Sequence, residues 1–349
     1  KEGHMTLIYF IIVLGVIIFI HELGHFIFAK KSGIYVYEFS LGMGPVIFKH
    51  NRKGDETDYC LRLFPIGGFV QMAGEEIEDD KSVPKSQKFG SKTFSQRFMT
   101  VIAGIMMNFI LAIVLLFVVG LFGGAPQNKA LVGTVDPSYP AYKAGIIKGD
   151  QILKVNGKSA NTSDKLVLQL QVNKGKTITF EILRGNTIKE ITVTPKKEEQ
   201  DGQIVYKYGF QMDDTVEYGL IPALKYSITK TLSLIHQMVF IVFYLITGQL
   251  ALGSLSGPVG IYSIVGTAAD SGILSLLYLT AYISINVGFI NFLPIPAFDG
   301  GRILFLIIEK LKGSPVDPKL ENTIHSIGLF LLLGLMILIT YNDIIRLIH

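Results

Sequence analysis

The sequence lacks tryptophan, contains one cysteine and is poor in charge: charged residues make up 17% of its 349 residues and hydrophobic residues 49%. A soluble globular domain carries about 25% charged residues, so a wholly soluble protein is excluded, and intrinsic disorder is excluded on the same numbers. Because Cys60 stands alone, an intramolecular disulfide and a cysteine-rich zinc module are excluded too. The net charge of +4 does not indicate a nucleic-acid partner. The sequence predicts a membrane protein with at least one soluble module.

Long uncharged runs supply the candidate membrane segments, because a spanning helix needs roughly 20 consecutive apolar residues. The candidates are Met5–Ala29, Phe98–Phe122, Thr231–Leu252, Ile273–Phe298 and Thr323–Asn342. Lysine and arginine are concentrated after the first run and again after the fourth. Both of these loops are therefore expected on the cytoplasmic side.

The first run contains an HExxH motif, His21–His25. Positions i and i+4 share one face of a helix, so both imidazoles can reach one metal ion, and zinc suits such a pair. Glu22 is placed to take a proton from the attacking water. Each ionisable group inside a bilayer costs roughly 2.5–3.5 kcal/mol on insertion scales, and a metal site would compensate that cost. The alternative is a helix that ends at Ile20, with the motif already at the interface.

A tetrahedral catalytic zinc needs a third protein ligand, and Asp299 is the candidate. It follows the fourth run, which Pro294 and Pro296 interrupt, and irregular backbone at membrane depth is tolerated where it lines a cavity. The alternative is an interfacial Asp that caps the next helix. Asn286 and Asn291 reach a depth similar to that of the HExxH motif. They are candidates for holding a substrate backbone or an oxyanion, or they bond neighbouring helices.

Whether Thr231–Leu252 crosses the membrane decides which residues can meet. If it crosses once, Asp299 ends on the outer face and cannot share a metal with His25. If it does not cross, the first and fourth runs both proceed from outside to inside, and Asp299 arrives beside His21 and His25. The basic loop after Asp299 favours this second arrangement independently. We therefore expect four spans, with Leu220–Leu252 as an amphipathic surface or re-entrant element on the outer face.

Two regions outside these runs are predicted to be β-rich. Ala130–Lys197 alternates apolar and polar residues and is typical of a small soluble domain inserted between membrane helices. Val36–Val70 is the second, with predicted turns at Gly42–Pro45 and Asn51–Gly54, and it is too apolar for a freely solvated loop.

Together the motifs resemble those of the site-2 proteases, the zinc intramembrane metalloproteases, and within them the bacterial type that cleaves anti-sigma factors and leftover signal peptides. The first family motif is His21–His25. The second is Asn291–Gly301, an N-x-x-P-x-P-x-x-D-G pattern with Phe298 where Leu is usual. Phe64–Val70 and Leu255–Gly260 are further family signatures. The resemblance implies a zinc endopeptidase of the inner (plasma) membrane that cuts single-pass transmembrane proteins and signal-peptide remnants near the cytoplasmic side.

The resemblance also implies how substrates are held. The inserted domain is similar to one PDZ module, with Leu131–Val135 as its binding strand, although a plain β-rich spacer is the alternative. The second β-rich region is expected to be a re-entrant hairpin whose edge holds an unwound substrate by β-addition. The residues expected to contact substrate are Asn286, Asn291, Gly42, Gly44 and Gly133.

The expected fold class is an α-helical membrane protein with four transmembrane helices, a membrane re-entrant β-hairpin and one inserted β-rich PDZ domain. A non-enzymatic PDZ-containing membrane scaffold is the competing function, and Glu22 argues against it because a scaffold needs no base beside a metal. A transporter is the third possibility, and it leaves the HExxH spacing unexplained. The expected organisation is a cloning remnant at 1–4, spans at 5–29, 98–122, 273–298 and 323–343, a cytoplasmic loop at 30–97, the PDZ domain at 128–198 and the surface helical region at 217–252.

Overall fold

The computed structural model describes residues 2–75, 80–200, 203–250, 253 and 255–348. They form two compact units, one of Lys1–Leu115 with Leu255–His349 and one of Leu116–Ser254. The helices of the described ranges are α1 (Glu2–Lys31), α2 (Phe94–Gly123), α3 (Pro140–Lys143), α4 (Ser163–Val172), α5 (Leu220–Ile246), α6 (Pro258–Asp270), α7 (Ile273–Phe292), α8 (Asp299–Lys312) and α9 (Pro318–Ile348). The strands there are β1 (Val36–Asn51), β2 (Asp58–Met72), β3 (Ala125–Pro126), β4 (Val132–Val135), β5 (Gln151–Val155), β6 (Lys158–Ser159), β7 (Ile178–Arg184), β8 (Thr187–Val193), β9 (Lys196–Gln200), β10 (Gln203–Lys207), β11 (Phe210–Met212) and β12 (Val216–Glu217).

Several of the helices have the length and composition of membrane spans. Among the described residues, five qualify: Met5–Lys31, Phe94–Gly123, Leu220–Ile246, Ile273–Phe292 and Lys319–Ile345. The chain is therefore a multi-pass membrane protein that also carries small β-sheets.

In the first unit, α1 and α7 run in the same direction. Val13 and Ile17 of α1 share one apolar cluster with Leu276 and Ile283 of α7, and the residues that follow each of these pairs approach one another at the site described below. α7 stops at Phe292 because prolines follow it and the residue before a proline favours extended backbone.

Helix α2 packs closely against both of these helices. A Cβ placed on Gly24 of α1 would lie 2.5 Å from the carbonyl oxygen of Ala103, so only glycine allows this approach. On the other side, the Ser284 hydroxyl of α7 donates to the carbonyl of Asn108 at 2.8 Å. α2 therefore lies between α1 and α7.

In the hairpin of β1 and β2, residues of β1 pair with two separate parts of β2. Leu41 pairs with both Gly68 and Leu61, and the residues of β1 beyond Val46 pair with the first half of β2. The bend that permits this lies at Gly42 and Gly44, whose φ angles are +92° and +84°, within the predicted first turn. The second predicted turn, Asn51–Gly54, lies at the end of β1 and the start of the connection to β2.

The hairpin is anchored at one end and apolar at the other. Lys30 at the end of α1 donates to Asp55 at 2.7 Å, and this hydrogen bond lowers the pKa of the Asp55 carboxyl. Around the bend, Met43, Ile47, Phe48 and Phe64 are each more than half exposed. Such a surface is expected to be covered by something apolar.

The second unit holds the inserted β-rich domain. Its main sheet has the order β6-β5-β7-β8, and Phe180 and Ile152 are fully buried in its core. Strand pairing continues past residue 198, because β4 pairs with β11 and β3 pairs with β12. Val216 opposite Pro126 brings the two ends of the insertion together.

Helix α5 belongs to this second unit and presents a polar face to α4. Lys230 forms an ion pair with Asp164 at 2.6 Å, and the Ser233 hydroxyl donates to the same carboxylate at 2.9 Å. Further along, the Gln169 side chain donates to the Tyr244 hydroxyl at 2.8 Å. The opposite face of α5 is an exposed apolar stripe of Ile221, Leu224, Ile228, Leu232, Val239, Phe243 and Ile246.

Candidate metal centre

Two histidines of α1 and an aspartate that is distant from them in sequence converge in the first unit. Nε2 of His21 lies 3.1 Å from Oδ2 of Asp299, and Nε2 of His25 lies 3.3 Å from the same oxygen. The two Nε2 atoms are 3.2 Å apart. Both imidazoles are buried, and the Asp299 side chain is 15% exposed. Each residue thus offers one ligand atom to a common point.

The spacing of these atoms fits a zinc ion. Zinc–nitrogen and zinc–oxygen bonds of about 2.0–2.1 Å at tetrahedral angles place neighbouring ligand atoms about 3.3 Å apart. The three observed separations, 3.1, 3.2 and 3.3 Å, lie at or just below that value. Oδ2 of Asp299 is also buried without a hydrogen-bond partner among the described residues. A cation between the three atoms would satisfy this oxygen.

Backbone and amide groups of α2 fix the orientation of the imidazoles. Nδ1 of His25 lies 2.9 Å from the carbonyl oxygen of Thr100, to which it can only donate, so its Nε2 keeps a lone pair for a metal. Nδ1 of His21 lies 3.3 Å from Nδ2 of Asn108, whose Oδ1 is buried without a partner. Rotating this amide by half a turn would let Oδ1 accept from Nδ1–H of His21, and the oxygen and nitrogen of an amide are interchangeable assignments.

Gly104 makes the space in which His25 lies. A Cβ on this glycine would overlap Nε2 of His25. The imidazole therefore rests directly on the backbone of α2, held between this surface and the Thr100 carbonyl.

The third candidate ligand, Asp299, directly follows a compact loop. Leu293 ends α7 in extended backbone, and α8 begins at Asp299 itself. A Cβ on Gly300 would overlap the Leu293 carbonyl, and one on Gly301 would lie 2.7 Å from the Ile295 carbonyl oxygen. The two glycines that follow Asp299 therefore let the first turn of α8 fold back onto the proline-containing segment.

Glu22 lies next to β2. A Cβ on Gly68 would be 3.1 Å from Cγ of Glu22 and 2.9 Å from the Ser40 carbonyl oxygen. Among the described residues, the half of β2 that contains Gly68 pairs with β1 alone. Its other edge is unpaired within the described part of the chain and lies close to Glu22.

The remaining predicted residues lie on several elements of the two units. Asn286 is on α7, with its Oδ1 buried and unpartnered among the described residues, whereas Asn291 is half-buried and is the penultimate residue of α7. Gly42 and Gly44 lie at the hairpin bend against Phe64. In the second unit, Gly133 packs on the neighbouring strand's end, where its Cβ would be 2.8 Å from Cα of Asp213.

Sequence reasoning missed the contribution of α2. Thr100, Gly104 and Asn108 recur at intervals of four, on the helix face that contacts the motif. A polar Asn inside an uncharged span was the available signal, because such residues usually bond across helices.

Comparison with known proteins gives consistent matches. The model of peptidase family M50 matches residues 9–335. The zinc metalloprotease RasP of Geobacillus kaustophilus is 33% identical over 97% of this chain and 97% of its own length. The regulator of sigma-W protease RasP of Bacillus subtilis is 33% identical over 98% of this chain and 99% of its own. A relative from Enterococcus faecalis named probable protease eep is also 33% identical, over 98% and 99%.

Proposed function

The chain belongs to peptidase family M50, and from this premise we propose that it cleaves transmembrane segments of single-pass membrane proteins, with His21, His25 and Asp299 as zinc ligands and Glu22 as general base. The prediction of a zinc metalloprotease of the site-2 protease family is confirmed by the family match and the named relatives. The residue roles, the topology and the substrates are our proposal.

The observation that carries the assignment is the triangle of ligand atoms from His21, His25 and Asp299. A zinc ion held by these three residues would supply a Lewis acid that polarises a carbonyl and lowers the pKa of a water molecule. Glu22, adjacent to the first ligand on α1, accepts the proton of the attacking water and returns it to the leaving amine. Thr100 and Asn108 hold the imidazoles in the tautomer that leaves Nε2 free.

Substrate presentation is assigned to the hairpin. A helix shields its own peptide bonds, so a substrate must be unwound before water can attack. The free edge of β2 at Gly68, beside Glu22, is suited to hold the unwound segment by backbone hydrogen bonds. The exposed apolar residues around Gly42 and Gly44 suit a hairpin that dips into the bilayer. Asn286, with its unpartnered oxygen, and Asn291 are proposed to hold freed substrate backbone groups.

The proposed topology has four spans, with α5 on the outer membrane surface. Contacts between α5 and the inserted domain extend from Lys230 to Tyr244, about 21 Å at 1.5 Å per residue. A soluble domain cannot accompany a helix that far into hydrocarbon, since its exposed polar groups would lose water. The apolar stripe of α5 would then lie in the interface between headgroups and acyl chains.

We assign the inserted domain, proposed to be PDZ-like, to the outside of the plasma membrane and the active site to its cytoplasmic side. The basic loops after α1 and α7 support this orientation. The proposed substrates are anti-sigma-type single-pass proteins and signal-peptide remnants, and the relative named as a regulator of sigma-W protease supports the first of these.

The test uses purified full-length protein in detergent or lipid nanodiscs. One zinc per chain is expected, with cleavage of a single-pass model substrate inside its apolar segment, mapped by mass spectrometry. Chelation should stop cleavage and added zinc should restore it. Cleavage only in soluble loops would contradict the proposal, and a metal-free protein that only captures peptide tails would favour the scaffold.

A further inference from the structure

One turn of α9 rests on the loop that carries the proposed third ligand. Ala297, two residues before Asp299, has a φ of +80°, a left-handed conformation that a non-glycine residue keeps only when its surroundings impose it. The backbone N–H of Ala297 donates to Nδ1 of His325 at 2.9 Å. Three residues along α9, a Cβ on Gly328 would lie 2.5 Å from Cβ of Pro296. Both contacts are made to the bend at Pro296 and Ala297.

The ring of His325 is committed to this hydrogen bond. Because Nδ1 accepts, the ring proton of the neutral imidazole is on Nε2. That atom is buried without a hydrogen-bond partner among the described residues, and the carboxylate of Glu321 is 3.9 Å away, beyond hydrogen-bond distance. The Phe305 ring of α8, with its centroid 5.6 Å away, packs beside the imidazole. In this orientation Nδ1 accepts from the Ala297 N–H, whereas Nε2 has no hydrogen-bond partner among the described residues.

We infer that His325 is a positioning residue for the ligand loop: its Nδ1 keeps Ala297 in the left-handed conformation that sets Asp299 opposite His21 and His25. The inference rests on the proposed function, since it takes Asp299 as a ligand. His325 acts through Ala297, so its removal should weaken zinc binding before it affects the chemical step.

The sharpest test compares two amides at this position. His325→Asn places an amide oxygen near the position of Nδ1 and should keep the acceptor, whereas His325→Gln places it near the position of Nε2 and should lose it. Zinc dissociation constants are measured on the purified full-length protein by competition with a chelator of known affinity. We expect about 10- to 100-fold weaker zinc binding in H325Q, with H325N within about threefold of wild type. Ser326→Ala, whose hydroxyl donates to the Asn322 carbonyl within α9, is the matched control.

A coupling measurement separates this role from a general loss of packing. Glycine adopts a positive φ without strain, so Ala297→Gly should reduce the loss caused by H325Q. An unchanged loss in the A297G background would overturn the inference, as would wild-type zinc affinity in H325Q. The Asp299→Ala variant distinguishes failure of the ligand assignment from failure of the role of His325. If D299A retains zinc, the ligand assignment fails. If D299A loses zinc while H325Q does not, only the role of His325 fails. Should H325Q not fold, Gly328→Ala displaces the same bend from α9 and is expected to weaken zinc binding in the same way.

Discussion

Oδ2 of Asp299 lies 3.1 Å from Nε2 of His21, although Asp299 is the first residue of α8 and His21 lies inside α1. This contact is the one expected from the sequence if Thr231–Leu252 does not cross the membrane.

Asp299→Ala should lose zinc and activity together, because two imidazoles alone leave a tetrahedral site short of a ligand. Metal content by mass spectrometry and cleavage of a membrane substrate are the measurements. Glu309→Gln, which alters a carboxylate of α8 that pairs with Arg97, is the control and should retain zinc. Stoichiometric zinc in D299A would remove Asp299 from the ligand set.

Glu22→Gln should keep the fold and the metal and lower the cleavage rate by about 10²- to 10⁴-fold, since only the proton acceptor is removed. Turnover is compared at equal zinc occupancy. The same variant should trap bound substrates, which can be identified among co-purifying peptides. Near wild-type turnover would refute the assignment of the base.

Gly104→Ala should displace the His25 imidazole, because the added methyl group overlaps Nε2. Zinc affinity is expected to fall about 10- to 100-fold, the usual effect of disturbing a ligand's support. Gly15→Ala is the matched control, because a Cβ there meets no atom within 4 Å. Equal zinc affinity in the two variants would mean that α2 does not set the position of His25.

Single cysteines in a Cys60→Ser background test the topology. Lys143→Cys and Lys85→Cys should be labelled from opposite faces of intact cells. Thr247→Cys, just after α5, distinguishes four spans from five: labelling together with Lys143 supports a surface-lying α5. Labelling of Thr247→Cys together with Lys85→Cys would show that α5 crosses and would overturn the four-span topology.

The inserted domain is expected to act as a size filter, excluding substrates with bulky outer domains while trimmed stubs pass. Its removal should add cleavage of an untrimmed substrate and leave cleavage of a trimmed one. Because Pro126 pairs with Val216, the deletion should begin and end at this pair. Removing only Ala130–Lys197 would delete β4 and leave β11 without its partner strand. The measurement is the ratio of the two cleavage rates with and without the domain. An unchanged ratio contradicts the filter, and loss of both activities would assign the domain to binding or folding.

Local spacing let the sequence determine the chemistry. His21 and His25 are one turn apart within a long apolar run that is expected to be a helix, so helix geometry alone places them on one face. The prolines before Asp299 and the glycines after it likewise predict a broken helix and a tight turn without reference to the rest of the chain. Family membership and the use of zinc follow from these short motifs.

Tertiary structure decided the support of the site. The Thr100 carbonyl is a backbone group that any sequence forming α2 would offer, so no residue type marks it. Gly104 acquires its role only because the His25 imidazole rests on it. The contact of His325 with Ala297 depends on where α9 packs. The polar residues of α5 have a partner only because Asp164 of α4 lies beside them. These relations join parts of the chain far apart in sequence. Helix period and hydropathy describe one segment at a time, whereas close packing decides which segments touch.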